Sequence, residues 1–137
     1  MEVTVETTVS ASLKRVWEAW VTPEDIRQWN FANDDWSCPN ASLELGPGGQ
    51  FNYRMESRDG SMGFDFEGTF IRIIDKELIE YELGDKRKVS VAFSVVENGV
   101  RIVESFDAED ENDAEQQKDG WQRILNNFKT HVEATGA

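Results

Sequence analysis

Glu104, Cys38, His131 and the pair Asp65 and Glu67 are the side chains of this chain whose type and setting could do chemistry. Glu104 lies between Ile102 and Phe106 at period two, so a strand there carries its carboxyl on the apolar face. A carboxyl turned into a core needs a partner, with Arg54 and Tyr53 as candidates, or it holds its proton above the usual range. Such a group can act as an acid or anchor the polar end of a ligand. The plainer reading, and the one preferred from the sequence, is a strand end that frays and lets Glu104 reach water. Cys38 precedes Pro39 among Asn and Asp residues. A nucleophilic thiol needs a nearby base or cation, so the plain reading is a small buried side chain. His131 is the only histidine, and any Ser-His-Asp set or imidazole metal site would rest on it alone. It stands three residues after Phe128, near the end of a helix pattern, where a cation meets the favourable end of the helix dipole. We read it as structural. Asp65 and Glu67 alternate with Phe64 and Phe66. Paired carboxylates can share acid–base work, but on an exposed sheet face they solvate. Gly46-Pro47-Gly48-Gly49 joins two strand patterns and opens no helix, so it is not a phosphate cradle. No metal and no cofactor is expected.

The elements that must position these groups follow from periodicity. Val3, Val5, Thr7 and Val9 alternate as a strand; Ser10 or Ser12 can cap the helix carrying Leu13, Val16, Trp17 and Trp20. Thr22-Pro23-Glu24-Asp25 starts a second short helix, with Thr as cap and Pro at the first helical position, ending near Trp29. Residues 30–41 read as a loop and Ser42–Leu45 as a short strand. Phe51, Tyr53 and Met55 mark the next strand, and Asp59-Gly60 a hairpin turn. Phe64, Phe66 and Phe70 then give way to Ile71, Ile73 and Ile74, a change of phase beside Gly68 that predicts a bulge or bend. Ile79, Tyr81 and Leu83 form a strand; so do Val89, Val91, Phe93 and Val95; Asn98-Gly99 turns the chain into Val100, Ile102 and Phe106. The acidic residues of 104–119 read as a solvated loop leading to a helix N-terminus or, alternatively, a docking surface for a basic partner. Asn112 and Glu115 have capping-box spacing. The last helix carries Trp121, Ile124, Leu125, Phe128 and Val132 on one face, and Gly120 within it is read as a point of close approach to the sheet.

Composition narrows the partners. The length suits one domain, 1–137, with a core of its own. A net charge of −13 argues against nucleic acid and anionic membrane surfaces. One cysteine allows no internal disulfide, and no apolar run reaches the roughly 18 residues that span a membrane. With no leader pattern at the N-terminus, a cytoplasmic location is expected.

Several words, in order, carry a resemblance: Val16-Trp17-Glu18-Ala19-Trp20, Thr22-Pro23-Glu24-Asp25-Ile26-Arg27-Gln28-Trp29, Gly48-Gly49-Gln50-Phe51, Asp59-Gly60, Phe66-Glu67-Gly68-Thr69-Phe70, Leu78-Ile79-Glu80-Tyr81 and Gly120-Trp121. In these the chain resembles the activator of Hsp90 ATPase homologue 1-like family of the START/Bet v 1-like superfamily. The resemblance implies an α+β helix-grip fold. A curved antiparallel sheet wraps a long C-terminal helix, with two short helices after the first strand. It also implies a space between sheet and helix that often holds an apolar ligand in the superfamily. Trp29, Phe31 and Trp36 would lie at its mouth. Tyr53, Arg54, Phe66, Phe93, Glu104, Trp121 and Phe128 are the other cavity candidates.

The first expectation is thus a binding protein for a small apolar ligand, oriented by Glu104, Arg54 or Tyr53. The alternatives are a cyclase- or hydrolase-type enzyme with Glu104 as acid or base, and an interaction protein, either a homodimer or a partner of a chaperone.

Overall fold

The computed structural model describes residues 2–109 and 113–135. Strand β1 (Glu2–Val9) is followed by helices α1 (Leu13–Val21) and α2 (Pro23–Trp29), then strands β2 (Trp36–Leu43), β3 (Gln50–Ser57), β4 (Gly63–Ile74), β5 (Leu78–Leu83), β6 (Lys88–Val96) and β7 (Gly99–Asp107). Helix α3 (Ala114–Thr135) closes the order. The seven strands make one antiparallel sheet, β1-β7-β6-β5-β4-β3-β2. After β1 the chain crosses to the far edge through α1 and α2. It then meanders back until β7 lies beside β1. This is the helix-grip arrangement that the resemblance implies.

The pleat sorts the side chains. Along β7, Val100, Ile102, Glu104 and Phe106 are buried, and their neighbours are not. Cross-strand register continues each inward position into a row. One row runs Val5, Glu104, Val91, Ile79 and Ile73; the next runs Val3, Phe106, Val89, Tyr81 and Phe70. These rows are the floor on which α3 rests. Leu125, Phe128 and Val132 of α3 are fully buried, and Trp121 stacks flat on Phe106 with ring centroids 4.1 Å apart.

The helix ends show local chemistry. Ser12 caps α1, its Oγ accepting from the Arg15 amide at 3.2 Å. Thr22 precedes α2 without a side-chain cap bond, so the expected Thr cap is corrected: Pro23 at the first helical position sets that start. Asp25 of α2 accepts from Arg15 of α1 at 2.9 Å and lies 2.8 Å from His131 Nε2 of α3. Burial opposes ionisation of Asp25, but hydrogen bonds from Arg15 and His131 outweigh it and hold the carboxyl below its usual range. Asp25 therefore ties three helices together, with the sole histidine as its link to α3.

One boundary and one glycine differ from the periodicity reading. Strand β2 begins at Trp36, within the stretch read as a loop. It is an edge strand whose register shifts between Ser37 and Asn40, which accommodates Pro39 where no ladder donor is needed. The β4 irregularity expected from the change of phase falls between Phe70 and Arg72, leaving Ile71 exposed. Gly68 has a different duty: a Cβ there would collide with the Glu82 carbonyl oxygen and the Phe51 ring. Gly120, by contrast, faces open space, so its reading as a close approach is wrong. Asn112 of the capping-box reading lies outside the described residues.

The two glycines predict opposite outcomes. Gly120→Ala should stabilise the protein by about 1 kcal/mol, because only helix propensity changes. Gly68→Ala should destabilise it by on the order of 2 kcal/mol through overpacking. Urea denaturation of both variants measures the two signs; a destabilised Gly120→Ala would mean that α3 is held closer to its neighbours than described.

Candidate functional site

Helix α3 leaves part of the concave sheet uncovered, and there a cavity of about 250 Å³ remains. Its floor comes from inward positions of β3 (Phe51, Tyr53, Met55), β4 (Phe64, Phe66, Phe70) and β5 (Ile79, Tyr81). Its roof is Trp121 and Ile124 of α3, with Trp20, Val21, Trp29 and Asn30 at the α1–α2 side. The aromatic rings form a connected wall: Phe66 lies 6.4 Å from Tyr53, 6.5 Å from Tyr81 and 6.0 Å from Trp121. At one side are polar groups: Glu104, Arg87, Glu109 and Gln117. Gln117 and Glu109 exchange two bonds, Glu109 N–H to Gln117 Oε1 at 2.8 Å and Gln117 Nε2 to the Glu109 carbonyl at 3.0 Å. They lash the chain beyond β7 to the start of α3.

Glu104 is 6% exposed and lines this cavity. Its row neighbours on β1 and β6 are Val5 and Val91, which offer no polar atom from their side chains. Neither a hydrogen bond nor an ion pair reaches its carboxyl among the described residues. Burial alone pushes the carboxyl up to about 8, so it is a neutral acid at pH 7. Tyr81, one row away on β5, is held well above the ordinary phenol range by burial first and by Glu104 second. Burial likewise raises Tyr53. Arg87 is the cation of the lining, and its guanidinium is already engaged by Asp85 at 2.7 Å and Glu109 at 3.8 Å.

Of the residues expected at a cavity, the structure brings Trp29, Tyr53, Phe66, Glu104 and Trp121 together around this one. The others are placed elsewhere. Arg54 alternates with Tyr53 and so points off the opposite face, paired with Glu56 at 3.0 Å and Asp65 at 3.5 Å; it cannot serve as the partner of Glu104. Phe93 and Phe128 are buried in the solid end of the core, edge-on to Trp20 at 5.6 and 4.8 Å. Phe31 lies under the Arg58 guanidinium, 5.8 Å away. Trp36 packs on Phe64 at 5.8 Å without reaching the lining. Cys38 is buried in β2, and burial pushes its thiol up, which suits a structural role. Asp65 and Glu67 are on the outer face, Glu67 accepting from Asn52 at 3.0 Å. Sequence reasoning passed over Tyr81 and Phe51 as lining residues, although their period-two spacing with Ile79 and Tyr53 carried the signal. Arg87, in a turn, gave none.

With the geometry in view, comparison with known proteins places the chain. Residues 10–133 match the family described as activator of Hsp90 ATPase homolog 1-like protein. The chain belongs to that family. The solution structure of the AHSA1-like protein from Aeromonas hydrophila is similar at 40% identity and TM-score 0.93, covering 98% of this chain and 93% of that one. A Cytophaga hutchinsonii protein solved in solution is 44% identical, with TM-score 0.84 over 97% and 92% of the two chains. A Rhodobacter sphaeroides protein, 16% identical with TM-score 0.85 over 98% and 93%, shares the fold. No curated protein matches the chain at a significant level.

The buried acid makes stability depend on pH. Folding raises the Glu104 value from the ordinary 4.5 to about 8, so between those limits the folded state holds a proton that the unfolded chain has lost. Its contribution is fully present below about pH 4.5 and falls by about 1.4 kcal/mol per pH unit until pH 8. Glu104→Gln should remove this slope, leaving a variant close to the parent at pH 5 and more stable by on the order of 4 kcal/mol at pH 8. Urea midpoints across that range check it; parallel pH profiles would show that Glu104 ionises freely in the folded protein.

Proposed function

We propose that this protein binds a small, largely apolar molecule between the sheet and α3. The supporting observation is a cavity of about 250 Å³, walled by aromatic rings and holding the Glu104 carboxyl, which has no partner among the described residues. Such a combination of apolar walls and few convergent polar groups is the usual form of a small-molecule site. A cavity of about 150 Å³ accepts benzene, so this one suits a ligand on the order of ten to fifteen heavy atoms. The cytoplasm is the compartment proposed for this activity, since the single cysteine is a buried free thiol and no described helix is long and apolar enough to cross a membrane.

A second reading rests on the same carboxyl. An acid that keeps its proton at pH 7 inside an apolar pocket is suited to protonate a bound molecule. It requires that the ligand found with the protein be converted, and that Glu104→Gln stop the conversion while still binding.

Ile124 tests the location. It is half-buried on α3 and faces the cavity. Phenylbutanol, a neutral probe of suitable size, should bind with one-to-one stoichiometry in calorimetry. Ile124→Trp should weaken it at least tenfold by occupying the space, with a melting temperature within a few degrees of the parent. Equal affinity in the variant would put the probe elsewhere on the protein.

A further inference from the structure

We propose that the cavity recognises an apolar amine, its ammonium group paired with the Glu104 carboxylate and its hydrocarbon laid among Tyr53, Phe66, Tyr81 and Trp121. This rests on the binding reading above and adds the chemical class. Four observations carry it. First, the Glu104 carboxyl is nine-tenths buried, lines the cavity and lacks any partner among the described residues. Second, the cation that the fold supplies to the lining, Arg87, is engaged by Asp85 and Glu109, so the complement to Glu104 must come from the ligand. Third, the walls are aromatic faces, whose quadrupoles attract cations. Fourth, Glu109 beside the cavity and a net charge of −13 favour cations over anions.

The groups facing Glu104 settle what titrates. Tyr81 of β5 and Tyr53 of β3 remain phenols, since burial raises both. From α3 come Gln117, Trp121 and Ile124, and from β1 and β6 the apolar Val5 and Val91. Arg87 and Glu109 complete the charged lining. In the free protein at pH 7 Glu104 is protonated. An alkylammonium that enters leaves its own proton in place, and the Glu104 proton is released to the buffer. Binding the amine therefore releases close to one proton at pH 7. Its affinity should rise with pH, approaching tenfold per unit below about 8 and levelling above.

The test is calorimetry on the intact protein with three probes of one skeleton: phenylbutylamine, phenylbutanol and phenylbutyrate. Titrations in two buffers of different ionisation enthalpy count the proton, and a series from about pH 6 to pH 9 gives the slope. The expected result is amine tighter than alcohol by at least tenfold at pH 8, phenylbutyrate weakest, and proton release with the amine alone. Glu104→Gln should erase the preference for amine over alcohol. Alcohol binding as tightly as amine, or an amine affinity that falls with pH, would overturn the amine assignment while leaving the cavity as a binding site. If none of the three probes binds, the binding reading fails and the amine assignment with it. The comparison among probes in the parent protein needs no variant, so a poorly folding Glu104→Gln would not blunt it.

Discussion

One helix cannot cover a seven-stranded sheet, and this mismatch of widths governs the molecule. Strands about 4.8 Å apart make a sheet of this size roughly 29 Å wide, whereas a helix with its side chains is about 10 Å across. Curvature narrows the gap without closing it. Helix α3 settles toward β1 and β7, where Trp121 stacks on Phe106. Helices α1 and α2 bring Trp17, Trp20 and Trp29 to the other end of α3, and Phe93 and Phe128 fill the space among them. What stays uncovered is the concave face of β3, β4 and β5, and the cavity is that remainder.

The remainder keeps its shape because its rim is tied. Asp25 joins α1, α2 and α3 through Arg15 and His131. Gln117 and Glu109 fasten the opposite end of α3. Phe51, Tyr53, Phe66 and Tyr81 brace one another as a sheet of rings. Collapse of the cavity would require these ties to break together. Against that rigid apolar setting Glu104 is a departure from the local pattern, since every other member of its cross-strand row is a Val or Ile. A carboxyl in such a row weakens the fold at neutral pH. Departures of this kind are where function is most reasonably sought.

Much of this was legible in the sequence. The alternation in β1, β3, β5, β6 and β7 fixed which side chains turn inward, and it put Glu104 on the same face as Ile102 and Phe106. It also carried enough information to put Arg54 outside, because Phe51, Tyr53 and Met55 leave it the other face; naming Arg54 as a partner for Glu104 went against its own strand. Other features depend on contacts far apart in the chain. Phe93 and Phe128 have the same pattern as the lining residues, and only the docking of α1 and α2 makes them core. The start of β2 was obscured by Pro39 and the Asn and Asp residues around it, which an edge strand tolerates. Arg87 sits in a turn, where no periodicity points to a cavity.

The most direct test of this account is the titration of the Glu104 side-chain carboxyl carbon by NMR in the ligand-free protein. A midpoint near 8 is expected, displaced upward by burial alone. A midpoint close to the ordinary 4.5 would show that the carboxyl reaches water. The cavity would then be a solvated cleft, and the case for an apolar site built around one buried acid would be lost.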